Sequence, residues 1–112
     1  HWSVWTSKAV ELFVKIRQAV ADDQGDADLL SLDSMVTDCN SAFFDAANGF
    51  QGCIAGCHEI LRRQGLLEGI WCIDPEETMG PGQAAEIDRV YQSYPQLNDD
   101  SFVSTHLEKW LT

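Results

Sequence analysis

Residues 43–91 read FFDAANGFQGCIAGCHEILRRQGLLEGIWCIDPEETMGPGQAAEIDRVY, and this stretch decides the fold. A helical pattern breaks at Asn48-Gly49, since both residues tolerate the left-handed conformation of a helix C-cap. The next helical pattern, 50–64, carries Gly52, Ala55 and Gly56. Glycine costs a helix roughly 1 kcal/mol against alanine, so small residues here imply a neighbouring backbone in close approach. Ile54, Cys57, Ile60 and Leu61 make its apolar face. Arg62 and Arg63 fall in the last turn, where cations suit the negative end of the helix dipole, and Gly65 caps it. Residues 66–74 show no period and predict an extended connector anchored by Leu67, Ile70 and Trp71. Pro81 fits the first turn of a further helix, with Ile87, Val90 and Tyr91 as its buried side and Tyr94-Pro95 as its end.

The same grammar extends outward. Between Trp2 and Ala21, Val10, Phe13, Val14, Ile16 and Val20 fall on one helical stripe, with Thr6 or Ser7 as the cap. Residues 22–26 are a polar break. From Ala27 to Ala47 the helical period resumes through Leu29, Leu32, Met35, Val36, Cys39, Ala42, Phe43 and Ala46. Asn98 or Asp99 caps a last helix through Phe102, Val103, Leu107, Trp110 and Leu111. The expectation is an all-α chain of about five helices, with no strand alternation, repeat or low-complexity segment.

The chain has 112 residues, 45% of them hydrophobic, which fits one domain with a core. Its net charge is −11, which argues against nucleic acid and anionic membranes as partners, because both reward basic patches. No apolar run approaches the length of a membrane-spanning helix. The chain opens on His1 rather than Met, as a trimmed polypeptide or a piece of a longer protein would. The four cysteines, Cys39, Cys53, Cys57 and Cys72, sit inside apolar patterns. They are expected to be reduced, buried thiols of a cytoplasmic protein.

Each group of potentially reactive residues has a plainer structural reading. Cys53, Cys57 and His58 are metal ligands by type, but His58 points about 100° away from the face shared by the two cysteines. No second close cysteine pair completes a zinc site. Direction also defeats a Cys57–His58 nucleophile and base, while Cys72 with His106 stays open on sequence grounds. Asp74, Glu76 and Glu77 around Pro75 read as a solvated turn, and Asn98, Asp99 and Asp100 as a capping segment that lacks the further oxygens of a calcium loop. Gly80-Pro81-Gly82-Gln83 lacks the Gly-Lys-Ser/Thr ending of a phosphate loop. Of the three lysines, Lys8, Lys15 and Lys109, Lys15 is expected to pair with Glu11 along its helix. None lies in a strand-like run, where a Schiff-base lysine of a barrel enzyme would be expected. No catalytic, cofactor-binding or metal residue is assigned.

The order of elements resembles the C-terminal part of the dihydrodipicolinate synthase/N-acetylneuraminate lyase family. Ser7-Lys8-Ala9-Val10-Glu11-Leu12 resembles the start of the eighth barrel helix, and Leu29 to Phe44 the helix that follows. Residues 48–67 resemble that family's segment of small and apolar residues ending in a glycine, and Gly80-Pro81-Gly82-Gln83 through Val90 its closing helix with a Glu-Ile-Asp-Arg run. The likeness spans most of the chain as element order and scattered residues. Asn48-Gly49 stands where many relatives carry Asn-Pro, which marks a divergent branch, and the tail beyond Tyr94 runs past the usual end. The resemblance implies the C-terminal helical portion of a (β/α)₈ barrel, with 1–22 as its last helix and 27–112 as an extension. It implies an aldolase-type lyase forming a Schiff base between a barrel lysine and a 2-keto acid. A relay tyrosine and a Gly-Thr-Thr-like carboxylate loop lie on earlier strands there, and no residue here matches them. This chain would then be a scaffold and assembly segment without catalysis of its own. Its partners would be the rest of the barrel or sister subunits of a homo-oligomer, with His1 to Trp5 near the barrel rim and Trp2, Trp5, Phe13 and Phe44 on the surface where the barrel packs. A stand-alone acidic module that binds a protein is the alternative.

Overall fold

The computed structural model describes residues 3–112. Five α-helices follow one another: α1 Thr6–Ala21, α2 Ala27–Phe43, α3 Cys53–Arg63, α4 Gln83–Ser93 and α5 Asp100–Leu111, with single 3₁₀ turns at Ala46–Asn48 and Pro95–Leu97. The described residues contain no strand. The all-α expectation holds, and the boundaries shift by physical causes. Trp5, in the left-handed region at φ 56°, precedes α1 in place of a Thr6 or Ser7 side-chain cap. The second helix ends at Phe43, four residues earlier than expected, because Asp45 turns left-handed at φ 58°. Helix α4 begins at Gln83, after Gly82 at φ 76°, rather than at Pro81.

The core forms where α2, α3 and α4 meet the segment before α1. Cys39, Ala42 and Phe43 from α2, Ile60 from α3, and Ile87 and Val90 from α4 close around Val4 and Trp5. The Trp5 ring meets Phe43 and Tyr91 edge-on at 4.7 and 5.2 Å, and its Nε1 donates to the Tyr91 hydroxyl at 3.4 Å. Trp5, expected at the surface, is therefore core: three aromatic rings in edge-to-face contact stabilise beyond their buried area. Phe44 is half-buried, and Trp2 and the His1 end of the expected rim lie outside the described residues.

The small-residue face of α3 does what the sequence implies. Gln83 lies against Gly52 and Gly56, where an added Cβ would collide with its side chain, and at Gly56 with the Phe43 carbonyl as well. Its Nε2 donates to the carbonyls of Ala42, Phe43 and Gly52 at 3.2, 3.2 and 2.9 Å, while its Oε1 accepts from the Gly80 N–H at 2.9 Å. Asp45 beside it accepts from the Gly52 N–H and from Asn48. One buried amide thus joins the end of α2, the start of α3 and the start of α4.

Helix α1 is different. It has no buried residue and is held mainly at its start, by Val4, Trp5 and a bond from the Ser7 N–H to Asp99 Oδ2 at 3.0 Å. The radius of gyration is 15.4 Å, against about 13 Å for a compact chain of this size.

Candidate functional site

Helix α1 turns a mixed face inward. Lys8, Leu12 and Lys15 look across a cleft of about 260 Å³ toward Leu32, Val36, Cys39 and Phe43, and Ile16, Ala19 and Val20 border a shallower one with Leu29 further along. Lys8 pairs with Glu11 at 3.0 Å and Lys15 reaches Asp26 at 4.0 Å. The expected Lys15–Glu11 pair is therefore replaced, because Glu11 turns back to the nearer lysine. The cleft is smaller than ordinary ligand pockets and is the seam between two loosely opposed helices.

The outward face is the more apolar one. Val10, Phe13, Val14 and Val20 are 58–74% exposed, and Ile16 is 42% exposed. The stripe expected to face a core faces water instead. Arg17 lies among these residues, with its guanidinium 5.8 Å from the centre of the Phe13 ring. No carboxylate meets Arg17 among the described residues. The other three arginines all hold one: Arg62 and Arg63 bind Glu59, Arg63 also Asp88, and Arg89 binds both Asp38 and Glu86. Sequence reading passed over Arg17, although its step of four from Phe13 and seven from Val10 places it on the stripe.

The cysteine region has other geometry. No group of three or more metal-ligating side chains converges among the described residues. His58 Nδ1 lies 3.9 Å from Cys72 Sγ, a pairing that neither Cys57–His58 nor Cys72–His106 anticipated; the aperiodic connector hid it. His106 stacks instead between Phe102 and Trp110 on α5. Burial first, then the charges of Glu77 and Asp74, push the Cys72 thiol up. Burial and Glu77 push up Cys53, and burial with neighbouring Cys53 raises Cys57 to about 11. All four cysteines are free thiols, and Cys39 is buried as expected while the other three are half-buried. A nucleophilic or metal-binding thiolate needs the opposite shift.

The acidic groups serve the backbone. Asp74 Oδ1 accepts from the Glu76 N–H at 2.9 Å, closing the turn read around Pro75. Asn98 Oδ1 caps the Asp100 N–H at 3.1 Å. Asp99 does not cap; its two oxygens accept from Gln64 Nε2 and the Ser7 N–H, clamping α3 to the start of α1. Trp71, expected to anchor the connector, is 75% exposed, and its neighbour Ile73 is fully so.

No family model, curated protein or solved structure matches this chain. No helix among the described residues is long and apolar enough to cross a membrane.

Proposed function

We propose that this chain is a helical scaffold and assembly segment of a dihydrodipicolinate synthase-like lyase, and that the outward face of α1 joins it to the rest of that enzyme. The observation that carries this reading is the exposure of α1: Val10, Phe13 and Val14 on its outer face are 58–61% exposed, and only Ile16 and Val20 at the edge of the stripe border α2. A stripe of five large apolar side chains on one exposed helix is what a contact surface looks like when its partner is absent. The likeness of Ser7 to Leu12 to the start of the last barrel helix gives the partner, the barrel or a sister subunit. On this reading the Schiff-base chemistry with a 2-keto acid lies in that remainder, and the chain's buried polar groups keep it rigid as a scaffold.

The test is the mass of the natural polypeptide isolated from its source. A mass of about 35–45 kDa, the size of one barrel with extra helices, is expected, with pyruvate and borohydride trapping a lysine outside these 112 residues. A natural polypeptide of 12.5 kDa overturns the proposal.

A second reading, a stand-alone acidic module that binds a protein, is favoured by Trp71 and Ile73. They add another uncovered apolar group, beside Asp74 and Glu76. Sharp cooperative melting of a monodisperse 12.5 kDa species would support it.

A further inference from the structure

We infer that the partner covering α1 is an amphipathic helix that places a carboxylate against Arg17. The inference rests on the reading of α1 as a docking face and adds the chemistry of what docks.

Val10, Phe13 or Val14, Arg17, and Val20 or Ala21 recur at steps of three and four, the seam along which a second helix packs. Arg17 is the third of that seam's four levels, with apolar side chains on both sides of it. In water it needs no partner, and its guanidinium sits over the Phe13 ring. Once a partner helix covers the seam, the guanidinium leaves water, and an unpaired buried cation is strongly unfavourable. Among the described residues no carboxylate reaches it. Helix α1 carries three cations against the single carboxylate of Glu11, and Glu11 is committed to Lys8 on the inward side. A second α1 packed on the same seam would bring another arginine rather than an acid. The counter-charge therefore comes from a helix of different sequence, apolar along its seam and acidic at the level that meets Arg17. A guanidinium fork takes a carboxylate in two parallel hydrogen bonds, so this contact also sets the register of docking.

The test uses the 112-residue chain and a labelled synthetic 21-residue helix with leucines along its seam and glutamate at the central seam position. Glutamine and lysine versions are compared below the concentration at which each peptide self-associates. The central position meets Arg17 whichever way the peptide runs. Fluorescence anisotropy is expected to show the glutamate peptide bound about tenfold more tightly than the glutamine one, with the lysine peptide weakest. Arg17→Met is expected to abolish or invert that order, and Phe13→Asp to abolish binding of all three, with helix content unchanged by circular dichroism. Equal binding of the glutamate and glutamine peptides overturns the inference. So does tighter glutamate binding that survives Arg17→Met, or no binding of any peptide. None of these outcomes alters the mass of the natural polypeptide, on which the lyase reading is decided separately.

Discussion

Gln83 sits where a side chain on residue 52 would be: its Nε2 donates to the Gly52 carbonyl at 2.9 Å, and a Cβ on Gly52 would collide with its Oε1. The two residues are 31 apart in sequence and join the start of α3 to the start of α4. Gln83→Met keeps the volume and removes four hydrogen bonds from a site that is 2% exposed. A loss of about 2–4 kcal/mol is expected, measured as a shift in urea midpoint without a change in slope. Gly52→Ala is expected to cost at least as much, although alanine is the better helix former.

Asp38 gives the chain an acid-sensitive contact. Hydrogen bonds from Arg89 and Tyr94 hold its carboxyl down at about 2 against an ordinary 3.8. The folded value is depressed, so the stabilisation is complete above about pH 4 and is lost as pH falls through 2. The pair is partly open to solvent, and screening reduces its worth to about 1 kcal/mol. Asp38→Asn is expected to lower stability by that amount at pH 7 and by progressively less as pH falls below about 4, with most of the difference gone at pH 2, read from melts across that range.

The thiols are expected to be slow. Burial, with the nearby Asp38 charge, pushes Cys39 up to about 12, and Cys57 stands at about 11. Iodoacetamide at pH 7.5 is expected to leave Cys39 unmodified in the folded chain and to label the other three slowly, by peptide mass. Fast labelling of Cys72 would mean that His58 activates it.

Trp5 anchors the segment before α1. Trp5→Ala removes a buried ring that touches Phe43 and Tyr91, with an expected loss of about 3–5 kcal/mol. Trp71 and Trp110 are exposed, so iodide is expected to quench them and leave the Trp5 emission.

The α1 stripe is expected to behave oppositely. Phe13→Gln changes a side chain that is 61% exposed, so the melting of the isolated chain should move by no more than about 0.5 kcal/mol. Binding of an apolar dye should fall. A large loss of stability would mean that the stripe is covered within the chain.

How much of this was legible depended on what each signal encodes. Helix period marks which residues share a face, and it identified all five helices and the small-residue face at Gly52 and Gly56. It does not say which way a face points. The stripe through Val10 and Phe13 was visible, but its turn toward solvent follows from Trp5 being pulled into the core at the helix start. Pairing across distance was hidden for the same reason: Arg89 with Asp38, Gln64 with Asp99 and Cys72 with His58 are set by packing of distant elements, not by spacing. Asp99, an ordinary cap by position, is drawn away because Gln64 and the Ser7 N–H compete for its oxygens.

The corner between α2 and α3 has a consequence for the order of folding. Asp45, Asn48 and Gly52 are close in sequence, yet the amide that ties the carbonyls of Ala42, Phe43 and Gly52 together arrives with Gln83, 31 to 41 residues later. Loop-closure entropy must be overcome before those bonds reward it. The corner and the docking of α4 should therefore form in one step, late, with the helices on either side already present. Bonds made that late contribute little to the transition state, so mutating Gln83 should speed unfolding more than it slows folding, an imprint of sequence distance on kinetics.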